Sequence, residues 1–115
     1  MSDRFAPLPE PPYYAVIFAA RRKDAAPDDG YDQTAERMGE LAAAQPGFLG
    51  VEYATDPGGF EITVSYWRDE AAIAAWKAHL EHDAAQKTGR ARWYSGYTIR
   101  VARIERAYGF GEGKG

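Results

Sequence analysis

The period of apolar positions shifts along this 115-residue chain, and each shift marks an element. Tyr13 to Ala20 (YYAVIFAA) is continuously apolar, with aromatic and β-branched side chains, the pattern of a strand buried on both faces. Arg21 to Lys23 end it, and APDDG at 26–30 predicts a turn. From Tyr31 the period becomes helical. Tyr31, Ala35, Met38 and Ala42 form a stripe with Leu41 beside it, while Glu36, Arg37 and Glu40 fall away from it. Pro46-Gly47 stops this helix. Phe48 to Thr55 (FLGVEYAT) and Phe60 to Trp67 (FEITVSYW) read as strands, and the intervening Asp56-Pro57-Gly58-Gly59 predicts a hairpin. Asp69 caps a second helix with the stripe Ile73, Trp76 and Leu80, continuing to about Lys87 before Gly89. Tyr97 to Glu105 (YTIRVARIE) reads as the final strand.

The order β-α-β-β-α-β predicts a ferredoxin-like α+β domain: a four-stranded antiparallel sheet with both helices on one face. The other face then needs a cover. Strand one carries Tyr14, Val16 and Phe18 on one side and Tyr13, Ala15 and Ile17 on the other. Strand three sets Phe60, Ile62, Val64 and Tyr66 against Thr63 and Trp67. Monomers rarely leave so large an apolar face open, so a homodimer through the sheet face is expected. The domain runs from 13 to 108. A proline-rich arm at 1–12 is expected to be extended and to lie over a partner, and a glycine-rich tail at 109–115 is expected to fray.

Composition narrows the function classes. With 45% hydrophobic and 14% aromatic residues, the chain can fill one core. The net charge of −3 argues against a nucleic-acid partner, which wants a basic surface. Charge is uneven: residues 87–106 carry six basic groups against Glu105, a balance of +5, leaving −8 elsewhere. A solvated face, salt links to a partner and an anionic ligand all fit that pattern. The absence of cysteine removes disulfides, thiolate zinc sites, iron–sulfur clusters and cysteine nucleophiles. No stretch approaches the ~20 apolar residues that cross a bilayer, and Met1 to Pro12 does not resemble a signal peptide. A cytoplasmic protein without a membrane partner is expected.

Three segments carry a resemblance: QPGFLGVE (45–52), ITVSYWRDEAAIAAWKAH (62–79) and WYSGYTIRVARIER (93–106). Together they resemble the antibiotic biosynthesis monooxygenase family of the dimeric α+β barrel superfamily. The combination carries it: a PGF turn after helix one, a strand ending in Tyr-Trp, then a helix with Trp and His three apart. The resemblance implies a homodimeric barrel, helices outside, with a pocket between helices and sheet in each subunit. It also implies oxygenases that oxidise small phenolic or polyketide-like aromatics with no cofactor, the deprotonated substrate itself giving an electron to O₂. A related branch degrades haem, and other members have no known reaction.

Within such a pocket the second helix supplies the candidates. His79 lies roughly 60° from Trp76 and flanks the buried stripe; Gln86 falls roughly 80° off on the same side, and His82 turns away. His79 suits a general base, because an imidazole takes up a proton near neutral pH. A surface or structural histidine is the alternative. Trp76 and Tyr66 join it as catalytic candidates, with Tyr14, Phe18, Trp67 and Gln86 lining the substrate pocket, although packing explains the Trp and any single Tyr as well. HLEHD (79–83) offers two imidazoles at metal spacing without a third ligand of known placement, so no metal is expected. The haem-degrading branch has an axial histidine ten residues after the helix tryptophan and an asparagine on strand one. Here Gln86 stands at the first position and the chain contains no asparagine, so haem ranks third and no cofactor is expected. The same dimer, acting as a non-catalytic ligand-binding or assembly module, is the alternative to an oxygenase.

Overall fold

The computed structural model describes residues 4–23, 31–81 and 93–113. The turn expected at 26–30, the helical extension past 81, His82 and Gln86 lie outside the described residues. The elements follow the predicted order: β1 (Tyr13–Arg22), α1 (Tyr31–Ala43), β2 (Phe48–Thr55), β3 (Phe60–Trp67), α2 (Glu70–Glu81) and β4 (Tyr94–Ile104). The strands form one antiparallel sheet in the order β2-β3-β1-β4, the ferredoxin-like arrangement. β1 occupies a central position, which suits its unbroken apolar run.

Local chemistry sets the boundaries. At the β2–β3 turn the Asp56 and Gly59 N–H groups donate to Phe60 O at 2.9 Å and Asp56 O at 3.1 Å, and the Asp56 carboxylate accepts from Phe60 N–H at 3.0 Å. Gly59 takes the left-handed φ of 88° that closes this hairpin. Asp69 caps α2 by accepting from Ala72 N–H at 2.8 Å. Gly47 lies against that cap. Its φ is 86°, and a Cβ there would come within 2.7 Å of the Ala72 Cβ. The PGF turn therefore needs its glycine both for backbone conformation and for close helix approach.

Two boundaries differ from expectation. β1 continues through Arg22, and β4 begins at Tyr94, three residues before the expected Tyr97. The extra residues pair with each other, Arg21 with Gly96 and Arg22 with Tyr94, across an irregularity in the register. Lys23 N–H extends the link by donating to Trp93 O at 2.7 Å. Gly96 and the charge of Arg21 and Arg22 hid this segment, because a strand interior disfavours glycine while cross-strand pairing supplies what the propensity lacks.

Directly paired residues share a face of the sheet. Tyr14, Val16, Phe18, Ser65, Trp67, Tyr97, Ile99 and Val101 therefore share one side, and Trp67 meets α2 there. The other side carries Tyr13, Ala15, Ile17, Phe60, Ile62, Val64 and Tyr66. Part of that second side is covered by the chain's own N-terminal arm. Arg4 donates to Tyr53 O at 2.8 Å, Ala6 N–H donates to the Glu52 carboxylate at 3.0 Å, and a Cβ at Gly50 would meet that of Ala6 at 2.8 Å. The described part of the arm thus packs along β2 of its own subunit. The tail is also more ordered than expected, since Gly111–Gly113 forms a 3-10 turn and a Cβ at Gly113 would lie 3.7 Å from the Phe5 ring. No described helix is long and apolar enough to cross a membrane.

Replacing Asp69 by Ala leaves the first turn of α2 uncapped. Urea unfolding should show a loss of about 1 kcal/mol, with an unchanged dependence on urea concentration.

Candidate functional site

The helix side of the sheet is built around Trp67, whose side chain is fully buried. Its indole N–H donates to Ser65 Oγ at 2.9 Å, two residues back on the same face. Phe48, at the start of β2, meets its ring at 83° with centroids 5.4 Å apart. Trp76 of α2 stacks on it at 6.0 Å and 27°, and His79, one turn further along α2, stacks on Trp76 at 5.5 Å and 13°. The three rings form a ladder from the core to an exposed imidazole. The arrangement sets an imidazole beside an aromatic surface on which a flat ring can stack.

A second aromatic group stands across the same side. Phe18 meets Tyr94 at 5.6 Å and Tyr97 at 5.4 Å, and those two tyrosines meet each other at 6.3 Å. Ile99 and Val101 continue this wall along β4 and remain about half exposed, at 52% and 51%. Tyr14 lies on the same face, paired across β1 and β3 with Trp67.

Of the expected site residues, the structure brings Trp67, Trp76 and His79 together, and it sets Tyr14 and Phe18 on their side. It does not bring Tyr66 to them. Strand alternation sends Tyr66 to the opposite face, where its hydroxyl donates to Glu52 Oε1 at 2.7 Å and its ring meets Tyr13 edge-on at 5.8 Å. Burial pushes the Tyr66 phenol above its ordinary value, and the hydrogen bond to Glu52, the Glu52 charge and Tyr13 push it further the same way. Burial and the Glu52 charge raise Tyr13 as well. Tyr66 is thus held as a neutral donor that fixes the carboxylate on which the arm rests. Glu52 escaped the sequence reading because a lone acid in an edge strand looks like a solvated position. Ser65, Tyr94 and Tyr97 were missed for other reasons. Ser65 follows from Trp67 by the two-residue period, whereas Tyr94 depended on the longer β4. Among the described residues, no three His, Asp or Glu side chains gather as a metal-ligand set.

The family model described as antibiotic biosynthesis monooxygenase matches residues 13–88. The uncharacterized protein YqjZ of Bacillus subtilis is 52% identical over 106 residues, covering 92% of this chain and 91% of its own. Among solved structures, SnoaB, a cofactor-independent oxygenase from Streptomyces nogalater, superposes with a TM-score of 0.66 at 11% identity, covering 84% of this chain and 97% of its own. A dimeric ferredoxin-like protein of unknown function from Thermobifida fusca superposes with a TM-score of 0.64 at 18% identity, covering 86% and 98%. At such identities these two structures establish the fold.

The Tyr66 shift carries a sign that can be measured. A phenol raised in the folded state favours folding below the unfolded value of 10.0, and that contribution falls as pH rises past it. Urea unfolding should therefore show the wild type losing stability between about pH 10 and 12. Tyr66→Phe should lose measurably less over the same window, after a cost at neutral pH of about 1–2 kcal/mol for the missing hydrogen bond.

Proposed function

Because the chain belongs to the antibiotic biosynthesis monooxygenase family, we propose that it is a cofactor-independent monooxygenase of a small aromatic or quinol-like substrate. The observation that carries this reading is the Trp67–Trp76–His79 ladder, which ends in an accessible imidazole on the aromatic side of the sheet. A flat substrate stacks against this side, with Phe18, Tyr94 and Tyr97 as the facing wall. His79 removes the acidic proton of a phenol or of the ring CH₂ of its keto form. The resulting anion gives one electron to O₂, and substrate radical and superoxide combine into a peroxide anion at that carbon, which the proton held by His79 converts to the hydroperoxide. Loss of water, with the remaining C–H and the O–O bond breaking, leaves a quinone carbonyl. The balance is closed: one oxygen atom replaces two substrate hydrogens, the other leaves as water, and all electrons come from the substrate. Tyr66 takes no part, since it faces away, and Tyr14, on the side of Trp67, is the tyrosine kept in the proposed pocket.

The same reading makes the protein a homodimer through the sheet side that bears Ile17, Ile62 and Val64. The dimeric ferredoxin-like protein from Thermobifida fusca supports this, as does the 42% exposure of Ile62. The half-exposed Ile99 and Val101, apolar groups that can hold a ligand and do no chemistry, favour a second reading, a non-catalytic dimer that binds an aromatic ligand, and turnover separates the two.

Oxygen uptake by metal-free protein, measured over a panel of anthrones, naphthols and hydroquinones, tests the proposal. An accepted substrate should be turned over without any added cofactor, and His79→Ala should lower the rate at least about tenfold, as expected for loss of a general base. Unchanged turnover in His79→Ala removes the base from the account, and no uptake across the panel moves the protein to the binding reading.

A further inference from the structure

The tail that follows β4 combines two properties that do not belong to a frayed end. It is pinned to its own subunit on both sides. At its start Ile104 pairs with Tyr13 across the sheet. Further on, Gly113 N–H donates to Phe110 O at 3.1 Å to close the 3-10 turn, and Gly113 lies against the Phe5 ring of the arm. Between these pins, however, Tyr108 and Phe110 are 96% and 95% exposed. A segment held at both ends with two aromatic rings turned outward presents those rings.

We infer that Tyr108 and Phe110 are anchors for a second copy of this chain, packing beside the sheet face through which the dimer forms. This inference rests on the dimer proposed above. Area supports it. An aromatic side chain buries roughly 200 Å², so two rings from each of two copies supply roughly 800 Å², about half of the ~1,600 Å² in a stable interface. Continuity supports it as well. The tail leaves β4 where that strand pairs with β1, and it reaches Phe5 on the arm, which packs on the side bearing Tyr13, Tyr66 and the half-open Phe60 and Ile62. A two-fold arrangement lets each copy offer its tail and receive its partner's on one continuous surface. Charge gives an anionic membrane no hold on the tail, since residues 105–115 set Glu105 and Glu112 against Arg106 and Lys114, a balance of zero.

Sedimentation equilibrium of the full chain tests the anchors. Tyr108→Ser combined with Phe110→Ser should raise the dimer dissociation constant at least about 100-fold, as loss of interface hot spots does. Its circular dichroism should match the wild type, because neither ring packs within the single chain. A wild-type dimer whose dissociation constant is unchanged in the variant overturns the anchors and leaves the dimer standing. A wild type that stays monomeric overturns the dimer and the anchors together. An independent readout uses the absence of cysteine from the chain. Ala107→Cys introduces a sole thiol beside Tyr108, which should react with a chromogenic disulfide reagent at least tenfold more slowly above the dissociation constant than below it. Equal rates also overturn the inference.

Discussion

The Trp67 indole, buried completely between a strand start, a neighbouring strand and a helix, holds the helical side of this domain together. It touches Phe48 of β2 and Trp76 of α2, and its N–H is satisfied by Ser65, so no polar atom opposes its burial. Because side chains alternate along a strand, turning Trp67 toward the helices turns Tyr66 away from them. A slip of one residue would exchange the two faces of β3 entirely. The glycine at position 47 lets the N-terminus of α2 come close enough for Trp76 to reach its place on that indole. The position of His79 then follows from the helix period.

This single choice of side divides the domain into two surfaces with different chemistry. The helix side carries stacked rings, an exposed imidazole and tyrosine hydroxyls, which suits an aromatic ligand and a proton transfer. The other side carries a hydrogen-bonded Tyr66–Glu52 pair that anchors the arm, next to open apolar rows. In the proposed function the first surface does the chemistry and the second makes the assembly. Tyr66 is informative here because a tyrosine beside the site in sequence belongs to the opposite surface in space.

Much of this was legible in the sequence where one local signal dominated. The hairpin strands 48–55 and 60–67 were bounded correctly by the DPGG turn and the PGF turn, and Asp69 marked the start of α2. The Trp76–His79 neighbourhood followed from helical spacing. What stayed open were details set by cross-strand pairing. The start of β4 at Tyr94 depended on Arg22 as its partner, and the side taken by Tyr66 depended on which of two adjacent aromatics met the helix. The arm and tail were hardest to read, because prolines and glycines signal an irregular backbone and say nothing of where it packs. Glu52, Gly50 and Phe5 acquire meaning only once the arm lies along β2.

In the proposed function the aromatic side of the sheet oxygenates its substrate with molecular oxygen alone. The most direct measurement is isotopic: turnover of an accepted anthrone or hydroquinone under ¹⁸O₂ by metal-free protein, with mass spectrometry of the quinone. One labelled oxygen should appear in the product and the second in water, with no requirement for reductant. A quinone that carries no label from O₂, or label that appears only when an external reductant is supplied, would contradict it.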